Sequence, residues 1–194
     1  MPTHDPLAAL VDTHRRRLLA AGLALPASLA ATSASGQQAG APQDWFALIK
    51  QQHQQIRTAF DTLLAPDDQP WDKRQLQFRT VNQLLNAHQF AEQNVVYPAL
   101  ARVGMAPKAD HLYSEEAHIK EMKAKMIVLA QERGTQKEWT ATAHQLRDAV
   151  LQHALEDEEK ETLPQLHQKL DPSQNQLLST LYPQDFGSVL PVRR

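Results

Sequence analysis

The sequence contains no cysteine and only six glycines among its 194 residues. Without thiols the chain has no iron–sulfur cluster, thiolate zinc site, catalytic cysteine or disulfide, and imidazole and carboxylate remain as its good metal ligands. Long stretches are instead rich in Ala, Leu, Gln, Glu and Lys, which lose little rotamer freedom in a helix. We therefore predict an all-α protein, whose nine histidines and 22 acidic residues are the candidates for chemistry.

The sequence also lacks a strong charge of one sign. The formal net charge is −2, and lysine and arginine are scattered along the chain, so the basic surface that binds nucleic acid is missing. Neither a Gly-x-Ser-x-Gly turn nor a glycine-rich phosphate loop occurs, which argues against serine hydrolases and nucleotide-binding proteins. We expect no nucleic-acid partner.

The N-terminal segment is typical of an export signal. Three arginines, Arg15–Arg17, precede an apolar run over residues 18–31, and small residues suited to a signal peptidase follow. The run is shorter than the roughly 20 residues that span a bilayer. We predict an export signal over residues 1–35 and a flexible linker over residues 36–43.

The arginine cluster resembles a twin-arginine signal, which is read by the pathway that exports proteins already folded. That resemblance implies a protein exported to the bacterial periplasm, with the export machinery for folded proteins as a partner. The alternative is an amphipathic first helix, but the apolar run has no polar face. No membrane anchor is expected once the signal is removed.

Beyond the linker, four segments repeat apolar residues at three- and four-residue steps, the pattern of one buried helical face. They cover about residues 44–64, 71–103, 111–134 and 137–170, with breaks such as "APDDQP" between them. Short connections between four comparable helices predict an antiparallel up-down-up-down four-helix bundle over residues 44–171. A short helix and tail are expected over residues 172–194.

Each predicted stripe contains one histidine near the middle of its helix. These are His53, His88, His118 and His153. One buried histidine is usually a hydrogen-bonded core residue, but four at one level of a bundle would leave many polar atoms without water, which is costly. A metal resolves that problem, and imidazole with carboxylate suits iron, manganese or zinc. We predict a two-metal site in which acidic residues on facing helices bridge the ions.

Glu92 is the first candidate bridging ligand. It follows His88 by four residues, so both side chains reach one centre from neighbouring turns of the helix. Pro98 comes six residues later, and a proline inside a helix frees the carbonyl four residues back, here that of Asn94, and bends the axis. The alternative interpretation is that Pro98 marks a helix end.

The fourth helix repeats this arrangement. Ideal helix geometry favours Glu156 and Asp157, which follow His153 by three and four residues. Glu158, however, precedes Pro164 by six residues, as in the second helix. We predict Glu158 as the ligand and keep Asp157 as a further candidate.

In this order and spacing, the residues resemble the hemerythrin-like, or His-His-Glu cation-binding, family of four-helix bundles. The matching stretches are "ALIKQQHQQIRTAFDTLL" at His53, "AHQFAEQNVVYPAL" at His88 and Glu92, and "HALEDEEKETLP" at the closing histidine and acidic pair. The resemblance implies a non-haem site of two iron ions, with zinc or manganese as alternatives, and dioxygen or another small diatomic ligand as the partner. The implied ligands are the bridging Glu92 and Glu158 and the terminal His53, His88, His118 and His153.

The third helix departs from the oxygen-carrying members of that family. Those members have two histidines four residues apart, whereas Ser114 stands four residues before His118. Glu115 or His111 lies on the same helical face and is a candidate for the missing ligand. The departure changes the expected ligand set and leaves the expectation of metal binding intact.

Three functions fit the sequence. The first is an exported di-iron protein that binds, carries or senses a small ligand, and we favour this binding role over an enzyme. The second is a ferritin-like di-iron enzyme that oxidises iron or consumes peroxide, although that class usually has two Glu-x-x-His pairs and only Glu115 to His118 fits here. The third is a metal-free or zinc-stabilised helical module for protein contacts.

Overall fold

The computed structural model describes residues 43–65, 69–132 and 135–190, and these residues are almost entirely helical. The α-helices are α1 (Trp45–Leu63), α2 (Trp71–Ala91), α3 (Tyr97–Arg102), α4 (Ala106–Leu129), α5 (Gln136–Leu151), α6 (Leu163–Lys169) and α7 (Pro172–Val189). Two π-helical segments join them, Glu92–Val96 between α2 and α3 and Gln152–Thr162 between α5 and α6. No strand occurs in these ranges, which confirms the predicted all-α class. The predicted export signal and the linker up to residue 42 lie outside the described residues.

The helices pack as a bundle of the predicted kind. Helix α1 packs against α2, α4 packs against α5, and α3 packs against α4. Through the π-helical segments, α2 and α3 form one continuous rod and α5 and α6 form another. With α1 and α4, these rods are the four long elements that the apolar repeats predicted. None of the helices in the described part of the chain is long and apolar enough to cross a membrane.

A further helix, α7, packs against α2 and α1. It spans 18 residues and is longer than the short helix predicted for this region. Its start is stabilised by a reciprocal cap: the Asp171 carboxylate accepts the N–H of Gln174 at 2.9 Å, and the Gln174 side chain accepts the N–H of Asp171 at 3.0 Å. Pro172 follows in the first turn, where its missing N–H has no intrahelical partner to lose.

Helix α4 begins earlier than predicted. The break expected over residues 104–110 covers only residues 103–105. Gly104 has a φ of 81°, a left-handed conformation that glycine adopts without a steric penalty. Pro107 lies in the first turn of α4, a position that suits proline. The proline that we interpreted as part of the break therefore helps to start the helix.

Both π-helical segments are followed closely by a proline. The N–H of Tyr97 donates to the carbonyl of Glu92, five residues earlier, and the N–H of Leu163 donates to the carbonyl of Glu158. The prolines are Pro98 in α3 and Pro164 in α6. Because proline has no N–H, the normal bond to the carbonyl four residues back is lost at each site, and a wider turn accommodates the change. The rods continue as helix beyond both prolines.

The apolar core contains one aliphatic residue from each rod at a common level. These residues are Ile56 of α1, Leu85 of α2, Ile119 of α4 and Val150 of α5, all 4% exposed or less. Below them the core continues to the buried indole of Trp139, which packs edge-on against Trp71 and Phe78. The four side chains form an apolar layer across the bundle, which closes off one side of the space beyond it.

Candidate metal centre

Polar side chains form a layer next to the four aliphatic residues. On α1 and α4 the polar residue lies three positions before the aliphatic one, and on the other two rods it lies three positions after. These residues are His53, His88, Glu116 and His153, each 4% exposed or less. The three-residue offset changes direction from one rod to the next, as expected when neighbouring rods run in opposite directions. The four polar side chains therefore occupy one level of the bundle.

Two fully buried glutamates complete this layer. Glu92 and Glu158 are both 0% exposed, and each lies in a π-helical segment. The carboxylate of Glu158 divides its oxygens, with Oε2 3.2 Å from His53 Nε2 and Oε1 3.6 Å from His153 Nε2. Glu92 Oε2 lies 3.2 Å from His88 Nε2. Glu158 thus lies between donors from two rods, and Glu92 lies beside a donor of its own rod.

The donor atoms fall into two overlapping groups that share Glu92. Within each group the candidate ligand atoms all lie within 4.8 Å of one another. The first group is His53, His88, Glu92 and Glu158, and the second is Glu92, Glu116 and His153. Two adjacent groups with a common carboxylate are the arrangement that a pair of bridged cations requires.

The unpartnered oxygens of this layer fit a bound cation. Glu92 Oε1, Glu92 Oε2 and Glu158 Oε2 are buried and accept no well-directed hydrogen bond, although the two Oε2 atoms each lie 3.2 Å from a histidine Nε2. A buried carboxylate oxygen without a partner is strongly unfavourable, and a cation relieves that penalty. Three imidazoles and three carboxylates are ligands for iron, manganese or zinc. The residues present therefore fit a two-metal centre.

The outer nitrogens of two histidines are held by acidic residues. His53 Nδ1 lies 2.8 Å from Glu159 Oε1, and His153 Nδ1 lies 2.9 Å from Glu115 Oε2. In each case the carboxylate accepts the Nδ1 proton, which leaves Nε2 free to bind a metal. Such outer partners fix the tautomer and orientation of a ligating imidazole.

His88 is held by a different pair of residues. Its Nδ1 lies 3.0 Å from Gln52 Oε1 and 3.0 Å from the hydroxyl of Tyr182, which itself donates to Gln52 Oε1 at 2.7 Å. Tyr182 belongs to α7, so the helix outside the four rods contributes directly to the site. Sequence patterns did not indicate this role, because Tyr182 lies in a region predicted to be a short helix and tail.

Tyr97 lies inside the polar layer. Its hydroxyl is 2.9 Å from Glu116 Oε1, 3.0 Å from Glu158 Oε1 and 3.2 Å from His153 Nε2, and its side chain is 0% exposed. The single hydroxyl proton can be donated to either carboxylate. Burial and the nearby carboxylates raise the pKa of Tyr97 well above its usual range, so the phenol stays a hydrogen-bond donor.

The structure favours Glu158 over Asp157 within the buried layer. Glu158 is 0% exposed, whereas the Asp157 side chain is 20% exposed and lies 3.9 Å from His111 on the outside. The spacing of five residues from His153 to Glu158 does not suit an ideal α-helix. It suits the π-helical segment Gln152–Thr162, in which the turn is one residue wider.

His118 does not join the layer, and the prediction that it faces the bundle axis is wrong. Its side chain is 65% exposed, and its nearest ionic neighbour is the exposed Glu121 at 3.9 Å. Glu116 occupies the inward position on α4, where it accepts hydrogen bonds from Tyr97 and Gln93. Residues two positions apart in an α-helix point about 200° away from each other, so Glu116 and His118 cannot both face the axis.

Glu116 was missed from the sequence alone because His118 was used to choose the inward face of the helix that is now α4. The buried residues of α4 run through Ala109, Leu112, Glu116, Ile119, Lys123 and Met126. This stripe differs from the predicted one, which ran through His111, Glu115, His118, Met122, Met126 and Leu129, and the two coincide only from Met126 onward. The apolar repeat from Leu112 to Ile119 contained the correct register.

The other candidates form a separate group near the surface. His111, Glu115 and Asp157 have potential ligand atoms within 4.8 Å of one another, but His111 is exposed and the other two are half-buried. Glu115 Oε1 lies 3.5 Å from His111 Nε2, while its Oε2 faces His153. In this arrangement Glu115 positions a histidine of the buried layer, and His111 and Asp157 remain outside it.

Burial and neighbouring charges shift the pKa values of the three buried glutamates in different directions. Burial raises the pKa of Glu92 well above its usual range, and Glu158 and Glu116 raise it further. Burial also raises the pKa of Glu116, to about 7, against the opposing charge of His153. Burial opposes ionisation of Glu158 too, but His153 and His53 outweigh it and lower the pKa to about 2. In the metal-free protein the layer therefore holds protons that a cation would replace.

The described residues form a helical bundle with buried histidine and glutamate groups that could hold a metal. The protein is therefore in the class of metal-binding helical bundles. The model of the hemerythrin HHE cation binding domain family matches residues 46–166. The chain therefore belongs to that family, which confirms the resemblance found in its motifs. No curated protein sequence matches the chain.

The pKa values predict how pH affects the metal-free protein. Glu116, with a folded pKa of about 7 against an ordinary 4.5, gives a stabilising contribution that is lost as pH rises from 4.5 through 7. Burial lowers the pKa of His153, but Glu158 and Glu115 outweigh it and raise it to about 9, so its contribution is lost between 6.5 and 9. We expect the free energy of unfolding of chelator-treated protein, measured in urea, to fall across this range by on the order of 3 kcal/mol for each of the two groups.

The metal-loaded protein is the control for this pH prediction, because bound cations replace the protons and flatten the dependence. Unfolding free energies of the metal-free protein that stay constant or rise between pH 4.5 and 9 would contradict the assigned protonation states.

Two matched substitutions test which residue of α4 binds metal. Glu116→Gln keeps the side-chain shape but removes a charged ligand, and we expect it to weaken binding of one metal ion by at least about tenfold. His118→Ala alters an exposed side chain and should leave affinity unchanged. Both are measured by titrating metal-free protein with a divalent metal. Loss of affinity in His118→Ala alone would restore the sequence-based assignment.

Proposed function

We propose that this protein is an exported metal-binding protein with a non-haem di-iron site that binds or senses dioxygen or a related small ligand. The observation that supports it best is the pair of fully buried glutamates, Glu92 and Glu158, which lie among three histidines with three oxygen atoms unpartnered. Such a pair is stable only with protons or cations beside it. Bridging carboxylates with terminal histidines are the natural roles of these groups.

In this proposal His53, His88, Glu92 and Glu158 hold one ion, while Glu92, Glu116, Glu158 and His153 hold the other. Two bound iron ions would supply reversible electron transfer and vacant positions for a small ligand. Zinc or manganese would occupy the same ligands, since both accept imidazole and carboxylate. The chain's own contribution is to orient each Nε2 and to keep water out of the layer.

A small cavity beside the histidines supports a small ligand. It is lined by His53, His88 and His153 on one side and by the aliphatic core layer on the other, and its volume is about 10 Å³. This is about the space that one water molecule needs. The cavity therefore limits a ligand to about the size of one water molecule or a diatomic species, and it has no room for an organic substrate.

A di-iron redox enzyme is the second candidate, and the buried Glu116 of α4 favours it. Glu116 takes the inward position where the oxygen-carrying members have histidines, so the centre has as many carboxylates as imidazoles. Tyr97 adds a buried phenol within hydrogen-bond distance of three members of the layer. A carboxylate-rich centre beside a phenol suits redox chemistry with iron or peroxide as substrate.

Elemental analysis of the purified protein tests the metal centre. We expect about two irons per chain, and Glu92→Ala and His88→Ala should each lower that content because each removes a buried donor. The controls are Glu156→Ala and His144→Ala, which make the same two types of substitution at exposed residues of the α5–α6 rod and should retain full content. Full retention in both buried variants would contradict the ligand assignment.

Absorbance spectra of the reduced, iron-loaded protein before and after admission of air separate the two candidates. A band that appears with oxygen and disappears on its removal supports ligand binding. Irreversible oxidation supports the enzyme, and a protein purified with zinc or without metal supports the structural module.

Export is proposed from the N-terminal sequence alone. We expect that changing Arg15 and Arg16 to Lys traps the protein in the cytoplasm, because the twin-arginine pair is the feature that the folded-protein pathway reads. The measurement is the distribution of the protein between periplasmic and cytoplasmic fractions. Unchanged export of the double variant would contradict this route.

A further inference from the structure

Gln89 places an unused hydrogen-bond donor next to the cavity. The side chain is 3% exposed, and its Nε2 is buried without a partner. Its Oε1, in contrast, accepts a hydrogen bond from Lys123 Nζ at 2.7 Å. A buried amide N–H without a partner is unfavourable, so this half-satisfied amide points to a missing acceptor.

Lys123 determines which way the Gln89 amide faces. The lysine is 4% exposed and also donates to Asn86 Oδ1 at 2.7 Å. An ammonium group has donors only, so it must meet the oxygen of the amide. Turning the amide around would bring two donors together and leave the oxygen without its charged partner. The Nε2 group is therefore directed away from Lys123.

Gln89 belongs to the wall of the cavity that His53, His88 and His153 also line. Every other lining residue in the described part of the chain is aliphatic, from Ile56 and Leu85 to Ala154. An otherwise apolar cavity with one fixed donor and three histidines discriminates between ligands by their ability to accept a hydrogen bond.

We propose that Gln89 Nε2 donates a hydrogen bond to the small ligand that occupies this cavity, with Lys123 as the positioning residue. The inference rests on the proposed metal centre and deepens it, because it assigns a ligand class. The site favours small diatomic species whose outer atom accepts a hydrogen bond, above all anionic ones, over apolar molecules of the same size. The fixed amide dipole supplies this preference without a charge inside the cavity.

Cyanide, a diatomic anion whose outer nitrogen accepts hydrogen bonds, is a suitable probe for the oxidised, iron-loaded protein. We expect Gln89→Leu to raise the cyanide dissociation constant about fivefold, the effect of one hydrogen bond of about 1 kcal/mol. Gln89→Glu keeps the shape and the Lys123 contact but cannot donate, so it should weaken binding at least as much. Lys123→Met should give a smaller loss, because the amide is then free to turn.

Two exposed residues provide matched controls. Gln83→Leu lies on α2 with Gln89, and Lys125→Met lies on α4 with Lys123, and neither should change cyanide binding. Helical content and iron content are measured first in every variant. This separates loss of the donor from loss of fold or metal, and Gln89→Glu serves if Gln89→Leu does not fold.

The outcomes distinguish this inference from the proposed function. Weaker cyanide binding in both Gln89 variants at full iron content supports the donor role. Unchanged binding at full iron content means that the amide bonds only to water, which overturns the inference and leaves the metal centre standing. Wild-type protein without bound metal overturns both.

Discussion

The burial of two carboxylates, Glu92 and Glu158, is the constraint on which the rest of the structure depends. Both side chains are 0% exposed, and ionised groups in such a position require opposite charge close by. Three histidines approach them from different rods, and acidic or polar residues hold those histidines from behind. The aliphatic layer formed by Ile56 and its counterparts closes one side. The centre is therefore organised in shells around two glutamates.

The glutamates reach the axis because the helices are locally wide. Each lies in a π-helical segment, and its own carbonyl accepts the hydrogen bond that spans five residues. The proline just beyond each segment cannot donate to the carbonyl four residues back, that of Asn94 or Lys160, so the regular α-helical pattern is interrupted beside the wide turn. The backbone irregularity and the ligand thus arise from the same few residues, which explains why "EQNVVYP" and "EEKETLP" share a pattern.

Much of the fold and part of the site could be predicted from the sequence. The apolar repeats identified the four rods, and the repeated spacing to proline selected Glu158 where ideal helix geometry pointed to Asp157. Glu116 was missed because an exposed histidine two residues later drew the register away from the apolar stripe. Tyr182 was beyond prediction for another reason, since no local pattern reveals which distant helix will cover a site. Local periodicity contains the first kind of information but not the second.

The contact between Tyr182 and His88 has a consequence for the order in which the protein assembles. The two residues are 94 positions apart in the chain, so the support behind His88 is absent until the ribosome has made α7. Contacts of such large sequence separation form late, because loop closure must precede them. The centre thus reaches its final geometry only after translation has passed α7. Ions captured earlier meet a looser set of ligands than those bound by the finished chain.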